Sequence, residues 1–114
     1  MNVKLLIVVT AIIVLIILLL PIAFYYKSQT NEKELAVEKC INACRQAMVA
    51  GKDLSNGPCL LNPIPELRDW VCDVAHEPRQ DVDNLPENQC SSFREGRANH
   101  FVEVTPACNF IRAY

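Results

Sequence analysis

The chain has 114 residues, a formal net charge of −2, six cysteines and a hydrophobic content of 51%. Much of that apolar content lies in one run near the start, so what remains is enough for one small domain and no second. Positive and negative side chains are interspersed without a basic stripe; this argues against nucleic acid or an anionic lipid surface as a partner and describes an ordinary solvated surface.

Leu5 to Tyr26 carries no charge, and its one hydroxyl side chain outside the closing tyrosines is Thr10. At about 1.5 Å per residue, 22 residues of helix reach roughly 33 Å, enough for a hydrocarbon core of about 30 Å. A signal peptide has a shorter apolar region and small residues before its cleavage site. Here Pro21, Ile22 and Ala23 lead into Phe24-Tyr25-Tyr26, and the tyrosines suit a membrane–water interface. The sequence therefore predicts an uncleaved transmembrane signal-anchor over 1–26, with the lipid bilayer as its partner, a polar joint over 27–30 and a cysteine-rich domain over 31–114. Charge bias hardly orients it: Lys4 lies on one side, Lys27 and Lys33 on the other. An even set of cysteines in a small domain belongs in an oxidising compartment, which places the N-terminus inside and the domain outside the cell membrane.

The domain opens on a helix expected from about Asn31 to Ala50. Thr30 or Asn31 can cap it, and Glu32 and Glu34 suit its first turn. Val37, Cys40, Ile41, Cys44, Ala47 and Met48 recur at three- and four-residue steps, and Gly51 supplies a left-handed stop. Ser55 to Pro58 is a turn, Leu60 to Pro65 is extended, and Glu66 to Asp69 makes one helical turn. Trp70 to Ala75 has strand composition, with Trp70, Cys72 and Val74 on one face. Glu77 to Pro86 is a charged loop, and Pro86 opens a short helix through Cys90 and Phe93 to Gly96. The runs at Phe101–Val104 and Asn109–Ile111 form a hairpin. The fold class is α+β: the transmembrane helix, then one long helix on a short antiparallel sheet, stapled by disulfides and cored by Trp70, Phe93, Phe101 and Phe110.

The cysteines are the candidate site residues, as disulfides: Cys40, Cys44, Cys59, Cys72, Cys90 and Cys108. Cys40 and Cys44 share a helical face at about 5–6 Å between Cβ atoms, too far for a mutual bond. Each must join a different downstream segment. Cys72, on the strand expected at the centre of the sheet, and Cys108, at the hairpin, are the preferred partners, leaving Cys59 and Cys90 to close loops. No Cys-x-x-Cys suggests redox work. His76 and His100 could ligate a metal with Asp73, Asp83 or a cysteine, but no pair has the spacing of a familiar zinc site. The polar stretch from His76 to Asn84 reads as a solvated connection, although binding residues favour such loops. No catalytic motif is present, and nothing calls for a cofactor or metal.

The segments NGPCL (56–60), WVCDVAHEPR (70–79), VDNLPENQC (82–90) and HFVEV (100–104) resemble those of small membrane-anchored, six-cysteine archaeal proteins. The resemblance implies a cell-surface setting in an archaeon and brings no activity or catalytic residues. The expected function is display of a disulfide-stabilised binding or structural domain, with a surface protein as a possible partner. The first alternative is a pilin-like surface subunit, although no basic leader precedes the apolar run and no glutamate sits near its start. The second is a membrane-tethered thiol oxidoreductase.

Overall fold

A computed structural model describes residues 2–114, which form two compact units, one ending at Asn31 and the other spanning Glu32–Tyr114. Helix α1 runs from Val3 to Val49 and includes Pro21. Its most apolar 18-residue window has a mean hydropathy of 3.4 and none of it is buried. The sequence leaves open whether the apolar helix continues into the domain helix; it does, so Thr30 and Asn31, the candidate caps, start no new helix. Residues 27–35 are mostly good helix formers, with no proline or glycine among them. The Thr30 hydroxyl donates back to the Tyr26 carbonyl at 2.9 Å instead of capping a new helix.

Within the second unit, Ala36, Cys40 and Cys44 are fully buried, four residues apart on one face of α1, flanked by Val37, Ile41 and Ala47. The helix stops in a Schellman motif: Lys52 N–H donates to Ala47 O at 2.9 Å and Gly51 N–H to Met48 O at 3.0 Å. Gly51 takes φ +75°, the left-handed conformation this ending requires.

Four strands follow, β1 (Cys59–Leu61), β2 (Trp70–Val74), β3 (His100–Val104) and β4 (Phe110–Ala113), arranged in the order β1-β2-β3-β4. The outer pairs are antiparallel, but β2 and β3 run parallel, with Cys72 beside Val102 and Asp73 beside Glu103. The sheet is thus mixed, not antiparallel as the sequence suggested. A parallel pair needs a crossover of about a dozen residues or more, and the connection from Ala75 to Asn99 supplies it. That connection holds two 3-10 turns, Asp81–Asn84 and Pro86–Asn88, and a one-turn helix α2 (Ser91–Arg94). The single helix expected from Pro86 to Gly96 is therefore two pieces. Asn62 docks α2 on the end of β1, its Oδ1 accepting from Ser92 N–H at 2.8 Å and its Nδ2 donating to Ser91 Oγ at 2.7 Å.

Glu66–Asp69 is not a helical turn. Ile64 and Leu67 pair across a tight reversal closed by Leu67 N–H to Ile64 O at 3.0 Å, with Glu66 at φ +70°. Proline at the second position and positive φ at the third are the marks of a type II turn.

Alternation along β2 sorts its side chains. Trp70, Cys72 and Val74 join Val102, Val104, Ile64 and the buried face of α1 in the main core. Val71 turns the other way, to Cys90, Ala98 and Phe101. Three disulfides brace this unit: Cys40–Cys72 and Cys44–Cys108 tie α1 to the sheet side, and Cys59–Cys90 ties β1 to the residue preceding α2. Of the four aromatic residues expected in the core only Trp70 is fully buried; Phe93 and Phe110 are exposed and Phe101 half-buried. Aliphatic side chains and half-cystines fill the space instead, because α1 approaches the sheet through alanine and cysteine.

A candidate ligand cleft on the open face of the sheet

The face of the sheet turned away from α1 carries a polar rung across three strands. Asp73 on β2 is beside Glu103 on β3, and Glu103 is opposite Arg112 on β4. One rung along, Val71 is beside Phe101. The crossover arches over these two rungs and encloses a cleft of about 340 Å³. Val71, Phe93 and Phe101 form its apolar wall, and the two phenyl rings meet edge to face with centroids 5.0 Å apart.

Glu103 is buried and fully engaged. Its Oε1 accepts from Arg79 Nη1 at 2.8 Å and its Oε2 from Arg112 Nε at 2.7 Å. Arg79 is fixed further by Nε donating to Asn84 Oδ1 at 2.9 Å and Nη2 to Asp83 O at 3.3 Å. Arg112 commits only its Nε, and its guanidinium carbon stands 5.2 Å from the Phe101 ring centroid. Arg94 also lines the cleft and has only a loose 4.0 Å approach to Glu95.

Asp73 is the anomaly of the rung. The residue is 9% exposed, lines the cleft, and its Oδ1 is buried with no hydrogen-bond partner among the described residues. Burial pushes its carboxyl up to about 8, and the negative charges of Glu103 and Asp83 push the same way against Arg79. That shift favours the protonated acid, whose hydroxyl can donate a hydrogen bond.

The arch is held by a second buried acid. Asp83 accepts from His76 N–H at 3.1 Å and Gln80 N–H at 2.9 Å, and its Oδ1 lies 2.9 Å from His76 Nδ1. Burial pulls this carboxyl upward, but the hydrogen bonds from Gln80 and His76 outweigh it and hold the group below its ordinary value. Gly57 fits against this knot at φ +67°; a Cβ there would stand 2.6 Å from Asp83 Oδ1 and 2.9 Å from the Val74 carbonyl. The stretch from His76 to Asn84 is thus mostly exposed, as a solvated connection would be, but it is pinned at the buried Asp83 and lends Arg79 to the cleft.

The histidines are apart: His76 pairs with Asp83, while His100 stacks on Trp70 at 4.7 Å between centroids. Cys59, Asp73 and Cys90 come within 4.8 Å of one another, a metal-like grouping, but the two sulfurs are bonded together and offer no thiolate. All six cysteines are in disulfides.

Sequence reasoning missed Glu103, Arg112 and Arg94, and saw Asp73 only as a possible metal ligand. The available signal was a charge at the fourth position of both WVCDV and HFVEV, short apolar strands in which a charge that ends up buried needs an explanation. No family model, curated protein or solved structure matches this chain.

Proposed function

We propose that this chain is a single-pass membrane protein that holds its N-terminus inside and displays a small disulfide-braced binding domain outside the cytoplasm. The observation that carries the reading is an apolar stretch of α1, its most apolar window wholly unburied, followed by a domain whose cysteines are all paired. The first feature suits hydrocarbon and the second an oxidising compartment. The crossover cleft makes binding a better use of the domain than scaffolding alone, because a pocket with an apolar wall and a few converging polar groups is what small ligands occupy. A surface protein could share the domain as a partner.

Protease added to intact cells or spheroplasts should remove the domain and leave the apolar segment in the membrane. Protection of Tyr114 until lysis would reverse the topology.

One observation favours a second reading, a pilin-like subunit. Helix α1 is assigned without interruption from the apolar segment into the domain, the element succession of pilins. Recovery of the chain in sheared filaments, not in detergent-extracted membrane, would establish that alternative. The thiol oxidoreductase reading has less to recommend it, since no cysteine is free.

A further inference from the structure

The open face of the sheet carries more than a generic pocket. We infer that the cleft binds a small carboxylate borne on an aromatic or aliphatic body, its apolar part against Val71, Phe93 and Phe101 and its carboxylate between the Asp73 carboxyl and the guanidinium groups of Arg94 and Arg112. The inference rests on the domain being a binding module and is indifferent to which side of the membrane it faces.

Three features select this chemistry. The first is unspent donor capacity: Arg79 uses all three nitrogens and Glu103 both oxygens, whereas Arg112 keeps both Nη groups and Arg94 makes only a loose ion pair. These two guanidinium groups are what an incoming carboxylate needs. The second is the orphaned acid, since a nine-tenths buried carboxyl without a partner for Oδ1 among the described residues costs the fold stability that a ligand bonded to it recovers. The third is charge. With Asp73 protonated, Glu103 is the one full negative charge facing Arg79, Arg94 and Arg112 across the cleft. A ligand ammonium would have to enter past the arginines, while a carboxylate enters with the field.

The charged groups around Asp73 are Glu103 from β3, Arg79 and Asp83 from the crossover, Arg112 from β4 and Arg94 from α2; β1 contributes only Cys59. As Asp73 ionises it loses its donor and adds a negative charge beside the bound anion. Carboxylate binding should therefore weaken as pH rises through the Asp73 transition, whereas ammonium binding would strengthen.

The full-length chain in detergent micelles would be titrated calorimetrically with 3-phenylpropionate and with 3-phenylpropylamine. The carboxylate should bind at least about tenfold more tightly at neutral pH, and its affinity should fall by about tenfold between roughly pH 7 and pH 9 as the protonated fraction falls. Asp73→Asn, whose amide cannot ionise, should flatten that fall. Arg94→Gln, a change at an exposed site, should weaken the carboxylate by about fivefold or more. Tighter binding of the amine, a carboxylate affinity insensitive to Arg94→Gln, or no heat with either probe at millimolar concentration would each overturn the proposal. The protease experiment reads topology independently, so failure of one reading is distinguishable from failure of the other.

Discussion

The two faces of the sheet are built by opposite rules. Against α1, the buried side chains from β2 and β3 are apolar or half-cystine, with His100 stacked on Trp70 at the margin, and the buried packing partners are the small residues Ala36, Cys40 and Cys44. Across the sheet, the same two strands present Val71, Asp73, Phe101 and Glu103 to a crossover that leaves a cleft. One face exchanges water for packing and covalent links. The other buries two carboxyl groups and, among the described residues, leaves one oxygen of Asp73 without a partner. A domain this small gains most of its stability from the first face, and has chemistry to spare only on the second.

The largest effect should come from the closed face. Replacing Cys44 and Cys108 by alanine opens a loop with a sequence separation of 64. The chain-entropy estimate for that length is about 4 kcal/mol, and burial of both half-cystines adds a packing loss. The Cys59–Cys90 link spans a separation of 31 and Cys59 is only half-buried, so its removal should cost less. Denaturant unfolding of the two double variants orders them. Equal losses, or a larger loss at Cys59–Cys90, would break the division between faces.

Side-chain truncation sharpens the same contrast. Ile64→Ala, at a fully buried position, should cost roughly 2–5 kcal/mol. Phe93→Ala, on the cleft wall with its ring partly exposed, should cost about 1 kcal/mol despite removing the larger side chain. Thermal midpoints of the two variants give the comparison.

The closed face was legible in the sequence and the open face was not. The three- and four-residue steps of Val37 to Met48 place Cys40 and Cys44 on one inward helical face, and a reason of geometry alone sends them to separate partners; the structure joins them to Cys72 and Cys108. Gly51 announced the end of the helix. The parallel pairing of β2 and β3 was hidden because it depends on the path of the chain from Ala75 to Asn99, a tertiary fact that strand composition does not encode. The Glu103 clamp brings Arg79 and Arg112 together from 24 and 9 residues away, and the knot at Asp83 pins a polar, largely exposed loop. Periodicity reads local burial, whereas the clamp arises from charge pairing between separate elements and the knot from hydrogen bonds to one buried carboxylate.

The most direct test of the two-face account is the titration of Asp73. Its folded-state carboxyl lies above the unfolded value, so this group favours the fold below the ordinary aspartate range, and that contribution is lost as pH rises to about 8. Asp73→Asn should correspondingly flatten this part of the pH–stability profile. Carbon-13 resonances of the aspartate carboxyls in the full-length chain report the group itself. The account predicts one aspartate, absent from the Asp73→Asn spectrum, with its midpoint near 8. A midpoint for Asp73 in the ordinary carboxylate range would mean that the open face holds no neutral acid, and would contradict the account.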